Sequence, residues 1–256
     1  MPSAMSGLVE GKVVRRREWS PGLITLSIAA DVRPFAPGQF FNLGLSDPSD
    51  DPVRRAYSAA SAPGAPHLEF YLNEVQGGAF TPRLFRLGAD DSVLVDPNPQ
   101  GFFTFAWLPP AAELWMVATG TGLGPFISML RSGEALARFE RVVLVHGVRY
   151  ERELGYADEL SELISESRGR FGYVPVVSRE NTARAFHGRV TTAFSNGELE
   201  ARASCTLNPE RSHVMLCGNP QMIDDMVEAM ATRGLRRHRT RKPGHITVER
   251  FWESAP

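Results

Sequence analysis

Apolar and polar positions alternate in short runs along the first 110 residues, and beyond Pro109-Pro110 they no longer do. Gly11 to Ala30 reads as two extended runs around a Ser20-Pro21-Gly22 turn, with Leu23, Thr25 and Ser27 in alternation. Gln39-Phe40-Phe41-Asn42-Leu43, Leu68 to Val75 and Ser92 to Val95 continue in the same style. Short strands this closely punctuated by proline and glycine predict a small antiparallel barrel or sandwich.

After the paired prolines the period changes. Leu114-Trp115-Met116-Val117-Ala118 is continuously apolar, as a strand buried on both faces is. A glycine-rich turn follows, then a helical segment from Pro125 to Phe139. Arg141 to Val148, Tyr173 to Ser178 and His213 to Cys217 predict three more buried strands. Helical spacing returns at Tyr156 to Ser167 and at Pro220 to Thr232, the latter with proline at its first position. Such alternation predicts a parallel sheet with helices on both faces. The chain is thus read as two domains, 1–110 and 111–256, which suits 256 residues at roughly 150 per domain.

Composition narrows the function. Lys and Arg number 28 against 29 Asp and Glu, so a whole-protein electrostatic grip on nucleic acid is not expected. With only Cys205 and Cys217, neither a disulfide framework nor a cysteine-held metal or iron–sulfur site is expected, and the six histidines show no metal-ligand spacing. The uncharged stretch Leu114–Leu130 is interrupted by Gly120, Gly122, Gly124 and Pro125 and falls short of the roughly 20 apolar residues of a membrane span. A cytoplasmic, monomeric protein acting neither at a membrane nor on nucleic acid is the expectation.

Four motifs carry candidate chemistry. Gly120-Thr121-Gly122-Leu123-Gly124-Pro125 joins a buried strand to a helix start, where backbone amides can approach a pyrophosphate; a tight strand-to-helix turn explains the glycines as well. In Arg54-Arg55-Ala56-Tyr57-Ser58 an Arg, an aromatic and a hydroxyl are read as pointing one way from a strand, suiting an anion, a planar ring and the ring's edge; a solvated edge strand is the plainer reading. Ser178-Arg179-Glu180 ends a strand, with Arg189 ten residues on; two guanidinium groups there suit a phosphate monoester, whereas Arg179 paired with Glu180 would be only a surface ion pair. Cys217-Gly218-Asn219-Pro220 puts a thiol at the same rim, or a small buried apolar residue. The run Arg233, Arg236, Arg237, Arg239, Arg241 and Lys242 is a solvated face or an attractor for an acidic partner.

Taken in order, Arg55-Ala56-Tyr57-Ser58, Gly78-Ala79-Phe80-Thr81-Pro82, the Gly120–Phe126 segment, Val145-His146-Gly147-Val148-Arg149-Tyr150, Val177-Ser178-Arg179-Glu180, Cys217-Gly218-Asn219-Pro220-Gln221-Met222 and Phe251-Trp252 resemble the ferredoxin–NADP⁺ reductase family, in its bacterial branch serving ferredoxin or flavodoxin. The resemblance runs from Gly11 to Trp252. It implies an N-terminal six-stranded antiparallel β-barrel for FAD and a C-terminal Rossmann-like α/β domain for NADP(H), whose tail returns to the flavin. It implies Arg55 on the FAD pyrophosphate, Tyr57 against the isoalloxazine, and Ser58 near flavin N5. Ala56, Tyr71 and the turn Ala79, Phe80 and Thr81 join the FAD set, with Thr121 close to both cofactors and Phe251 and Trp252 covering the flavin. Gly122, Val148, Arg149, Ser178, Arg179, Arg189, Asn219 and Met222 form the implied NADP set, and Ser58, Cys217 and Glu249 the implied catalytic one. The resemblance further implies hydride transfer from NADPH to FAD and single electrons onward to an acidic ferredoxin or flavodoxin. A reductase serving an oxygenase or free flavin, and a non-catalytic flavin or nucleotide sensor, are the alternatives.

Overall fold

The computed structural model describes residues 7–45 and 53–250. The chain divides into two compact units, one formed by residues up to Thr104 with Gly124–Ser132, the other by Phe105–Leu123 and the residues from Gly133 on.

The first unit is one antiparallel sheet. Strands β1 (Val9–Ser20), β2 (Leu23–Ala29), β3 (Phe40–Gly44), β4 (Arg54–Ser58), β5 (Leu68–Asn73) and β6 (Ser92–Val95) lie in the order β4-β3-β6-β1-β2-β5. Gly22, at φ +78°, turns β1 into β2. Alternation buries one face: Val13, Ile24, Leu26, Phe41, Leu43 and Phe70 are fully buried in one cluster, each contributing about 1.5–3 kcal/mol. The sheet curls until its outer strands meet, through a single bridge between Ala59 and Phe70 and the Ala60 amide donating to Glu69 O at 2.7 Å. Helix α1 (Thr81–Leu84) lies between β5 and β6. Helix α2 (Gly124–Arg131) covers the closure: Ser128 Oγ donates to Ser61 O at 2.7 Å, and Arg131 Nη1 to Glu69 Oε2 at 2.7 Å and Ala60 O at 3.1 Å.

The second unit is a parallel sheet of β7 (Glu113–Thr119), β8 (Arg141–Val148), β9 (Phe171–Val177), β10 (Phe186–His187), β11 (Ser212–Gly218) and β12 (Ile246–Arg250), ordered β10-β9-β8-β7-β11-β12. Helices α3 (Glu134–Arg138), α4 (Ala157–Glu166), α5 (Val190–Ser195), α6 (Glu198–Ala203) and α7 (Pro220–Ala231) flank it. Trp115, Val117, Val143 and Val145 pack with residues of α5, α6 and α7, while their neighbours Leu114, Met116 and Leu144, on the opposite face by the strand pleat, are also fully buried. This double burial is why these strands read as unbroken apolar runs. The strand order reverses between β7 and β11, and open α/β sheets bind ligands beyond the carboxyl ends of strands at such a switch point.

The single helix expected from Pro125 to Phe139 is two. α2 ends at Arg131, and Gly133 at φ +73° redirects the chain into α3, a conformation that costs glycine little and other residues more. α1, α5, α6, β10 and β12 were not distinguished in the sequence. No helix among the described residues is long and apolar enough to cross a membrane, and no group of three or more His, Cys, Asp or Glu among them is arranged to hold a metal.

Candidate functional site

In the first unit, β4 pairs antiparallel with β3, setting Leu43 opposite Arg55, Phe41 opposite Tyr57 and Phe40 opposite Ser58. Arg55 and Tyr57 therefore share one face and Ser58 lies on the other. This corrects the expectation that all three point one way, because successive strand residues alternate. Arg55 is exposed, its guanidinium donating to its neighbour's carbonyl, Arg54 O, at 2.8 Å. Tyr57 is half-buried and stacks on Phe80, with ring centroids 6.1 Å apart and planes at 22°. Burial pushes its phenol up to about 12, against a small opposing pull from Arg55, so the ring is neutral at ordinary pH.

The turn before α1 is tied by one hydroxyl. Thr81 Oγ1 accepts from Val75 N at 2.8 Å and donates to Val75 O at 3.4 Å. Ala79 is left at the surface and Phe80 buried beneath Tyr57; no backbone carbonyl of the surrounding turn takes the Ala79 or Phe80 amide among the described residues. Tyr71, on β5, is buried with its ring edge-on to Trp19 at 6.3 Å. At the start of α2, a Cβ on Gly124 would stand 3.7 Å from Ser58 O and 3.9 Å from Tyr71 Cβ, so the helix begins directly against both residues. Ala56 is exposed on β4.

In the second unit the groups come from strand ends at the switch point. Gly120, at φ +54°, opens a 3₁₀ turn through Leu123. A Cβ on Gly122 would lie 2.4 Å from Cys217 O and 2.9 Å from Gly218 Cα, and one on Gly218 would lie 2.3 Å from Thr119 Oγ1. Only glycines let the two strand ends close up in this way. Thr119 Oγ1 accepts from Asn219 N at 2.9 Å, and the Asn219 side chain caps α7 by accepting from Gln221 N at 2.9 Å and Met222 N at 3.3 Å. The Met222 side chain belongs to the core. Cys217 and Glu249 are register partners on β11 and β12, with the thiol 4.0 Å from Glu249 Oε2. Burial, and secondarily the Glu249 charge, hold the thiol well above its usual range, so it stays protonated and can donate.

The adjoining ends of β8, β9 and β10 form a basic rim. Val148, at the end of β8, is buried, and its carbonyl accepts from Ser178 N at 3.1 Å and Ser178 Oγ at 3.2 Å. Arg179 N donates to Arg149 O at 2.9 Å. Arg149 lies 3.7 Å from Glu153. Arg179 is exposed, 6.0 Å from the Tyr150 ring centroid, with Arg152 at 4.5 Å from the same ring. It is not paired with Glu180, whose carboxylate instead accepts the Glu151 amide. His187 pairs with Val177 across β10 and β9, so Arg189, two residues on, emerges beside Ser178 and Arg179. Arg179 and Arg189 have no acidic partner within ion-pair distance among the described residues.

Thr119, Tyr150 and His146 carry no distinct signal of a role in the sequence. Tyr150 is legible only as an aromatic at a strand end; the other two act through contacts that no local pattern encodes. Phe251 and Trp252 lie outside the described residues, while Thr121, half-buried, sits in the 3₁₀ turn.

In the first unit a backed aromatic shares a strand face with an exposed guanidinium, near a turn whose Ala79 and Phe80 amides meet no backbone carbonyl among the described residues; in the second, a glycine turn closes the ends of β7 and β11, and Arg179 and Arg189 have no acidic partner among the described residues. Residues 116–228 match the family model described as the oxidoreductase NAD-binding domain. The chain is 42% identical over 249 residues to the flavodoxin/ferredoxin–NADP reductase of Escherichia coli (strain K12), covering 97% of this chain and 100% of that one. It is 35% identical to the ferredoxin–NADP reductase of Azotobacter vinelandii, over 96% of this chain and 98% of that one. Among solved structures it is similar to a ferredoxin NADP⁺ reductase from Neisseria gonorrhoeae with bound FAD and NADP, at TM-score 0.91 and 32% identity, covering 96% of this chain and 100% of that one.

Proposed function

The chain belongs to the flavodoxin/ferredoxin–NADP reductase family, and from that premise we propose an oxidoreductase that passes electrons between NADP(H) and ferredoxin or flavodoxin with FAD as its cofactor. The observation that carries this is the 42% identity over nearly the full length, joined to two arginines of the rim, Arg179 and Arg189, with no acidic partner within ion-pair distance among the described residues. FAD, when bound, takes up two electrons as a hydride and gives them up one at a time.

The chain's own residues bind and orient. Arg55 and the amides of Ala79, Phe80 and Thr81 hold the FAD pyrophosphate. Tyr57, stiffened by Phe80 behind it, offers a neutral ring to a planar ligand, with Ser58 as an orienting hydrogen-bond partner. Arg149, Ser178, Arg179 and Arg189 hold the adenosine 2′-phosphate and so select NADPH over NADH. Gly122 and Asn219 shape the turn that receives the dinucleotide. Cys217 keeps its proton and acts as a donor near the nicotinamide, not as a nucleophile, with Glu249 accepting from it. No acid or base is required of the protein in the hydride step. An acidic carrier is steered by the exposed Arg236, Arg237, Arg239, Arg241 and Lys242; Arg233 leaves that run by pairing with Glu200 through Nη1 and Nη2, each at 2.8 Å.

The purified protein is expected to show flavin absorbance bands that NADPH bleaches and that added flavodoxin or ferredoxin restores. A colourless protein that takes up no FAD removes this reading. A yellow one that NADPH leaves oxidised reduces it to a flavin-binding protein.

A further inference from the structure

One buried polar group in the second unit has no part in the roles above. His146 lies on β8 between Ala118 of β7 and Pro175 of β9 and is fully buried. Its Nε2 is 3.0 Å from Gly120 O, and its Nδ1 is 3.4 Å from the Tyr173 hydroxyl. A carbonyl can only accept, so Nε2 carries the proton; Nδ1 is then a lone pair that accepts the Tyr173 O–H. Burial also lowers the imidazole to about 4, which keeps this neutral form at working pH.

Gly120 is the place where such an anchor matters. It sits at φ +54° with nothing within 4 Å of where a Cβ would stand, so no side chain of its own restrains this peptide, and the His146 bond adds a restraint from β8 to the hydrogen bonds of the 3₁₀ turn. The peptide joining Gly120 to Thr121 is planar and trans, and its carbonyl and N–H point in opposite directions. A carbonyl held toward His146 in the interior therefore turns the Thr121 N–H outward, at the rim where the strand order reverses.

We propose that His146, oriented by Tyr173, is a positioning residue for NADP(H): it locks the Gly120–Thr121 peptide so that the turn presents its amides to the dinucleotide's pyrophosphate. The inference rests on the NADP(H) reading of this rim. It assigns His146 to the pyrophosphate half of the ligand and leaves the 2′-phosphate half to Arg179 and Arg189.

The test is calorimetric titration of the FAD-loaded enzyme with NADP⁺ and, separately, with adenosine 2′,5′-bisphosphate, which lacks the pyrophosphate and nicotinamide. His146→Asn keeps a polar partner for Tyr173 but is too short to reach Gly120, whereas His146→Gln restores a donor near the Nε2 position. The Asn variant is expected to bind NADP⁺ about tenfold more weakly and adenosine 2′,5′-bisphosphate within twofold of wild type; the Gln variant is expected to recover NADP⁺ binding to within threefold. In steady state the Asn variant raises KM for NADPH far more than it lowers kcat. Equal loss of both ligands, or unchanged NADP⁺ binding, overturns the proposal. Should the Asn variant not fold, Tyr173→Phe serves: a two- to fourfold loss confined to NADP⁺ supports the lock, and wild-type binding overturns it. A wild-type enzyme that binds neither ligand removes the site reading and this proposal with it.

Discussion

The two units build their proposed sites by different means. In the first, side chains lead: Arg55 and Tyr57 project from one face of an outer strand, and the turn that carries Phe80 beneath Tyr57 is tied by a single threonine hydroxyl. In the second, the turn proposed for the dinucleotide is made of backbone, built where strands end and glycines let β7 and β11 close to contact, with arginine side chains added along the rim. A substitution in the first unit thus removes one contact, while one in the second can move several at once. Antiparallel alternation exposes a face for side chains to use; a parallel sheet buried on both faces leaves only its ends.

The sharpest way to break that contrast is Gly122→Ala. Its Cβ would stand 2.4 Å from Cys217 O, a backbone atom that cannot swing aside. A loss of about 3 kcal/mol in stability is expected, with NADP⁺ binding down at least about a hundredfold, on the order of 2.7 kcal/mol, and FAD content near wild type. Thermal unfolding and titration check it, and an unperturbed variant would show that the strand ends are not in contact.

Acid comes next. His146 and His213 are held near 4 and near 3 by burial, below the ordinary histidine value. Both are neutral when folded, and the unfolded chain takes up their protons first. The stability they contribute is present above pH 6.5 or so and is lost as pH falls toward 4 and then 3; His146 alone accounts for about 3 kcal/mol. The urea midpoint is expected to fall between pH 7 and pH 4.5, and less steeply in His146→Gln. Equal slopes in the two proteins would place the acid sensitivity elsewhere.

Arg179→Ala or Arg189→Ala is expected to weaken NADPH about ten- to a hundredfold, from charge-assisted bonds of about 1.5–3 kcal/mol, with NADH within twofold. Kinetics with the two nucleotides decide it, and parallel losses would make the arginines structural. The smallest effect belongs to the first unit: Thr81→Val strands the Val75 amide for about 1 kcal/mol and should loosen FAD by about fivefold, read by dialysis. A larger effect there than at Gly122 would reverse the contrast.

What could be read in the chain follows from the same physics. Arg141 to Val148 is legible because a strand buried on both faces is apolar along most of its length, here at Val142 to Val145 and Val148. β12 was not found, since Ile246 and Val248 alternate with polar residues directly after a basic run. α5 and α6 are each under two turns and break at Asn196-Gly197, too short for a helical period to emerge. Glycines 120 and 122 could be picked out by type, but the reason for Gly122 is a strand end nearly a hundred residues away. His146 meets Gly120 and Tyr173 across 26 and 27 residues, and no sequence window registers such contacts. Arg179 and Arg189 are legible as a pair because Arg179 follows a recognisable buried strand and Arg189 comes ten residues later; that a short strand, β10, delivers Arg189 is not.

Helix α2 follows the glycine turn of the second unit in sequence, yet its Ser128 and Arg131 are bonded to Ser61, Ala60 and Glu69 of the first. The barrel is therefore discontinuous in the gene. A chimaera that swaps it between relatives at one crossover near Thr104 would inherit a closure seam from one parent and its covering helix from the other; two further junctions, around Gly124 and Ser132, are needed to keep them together.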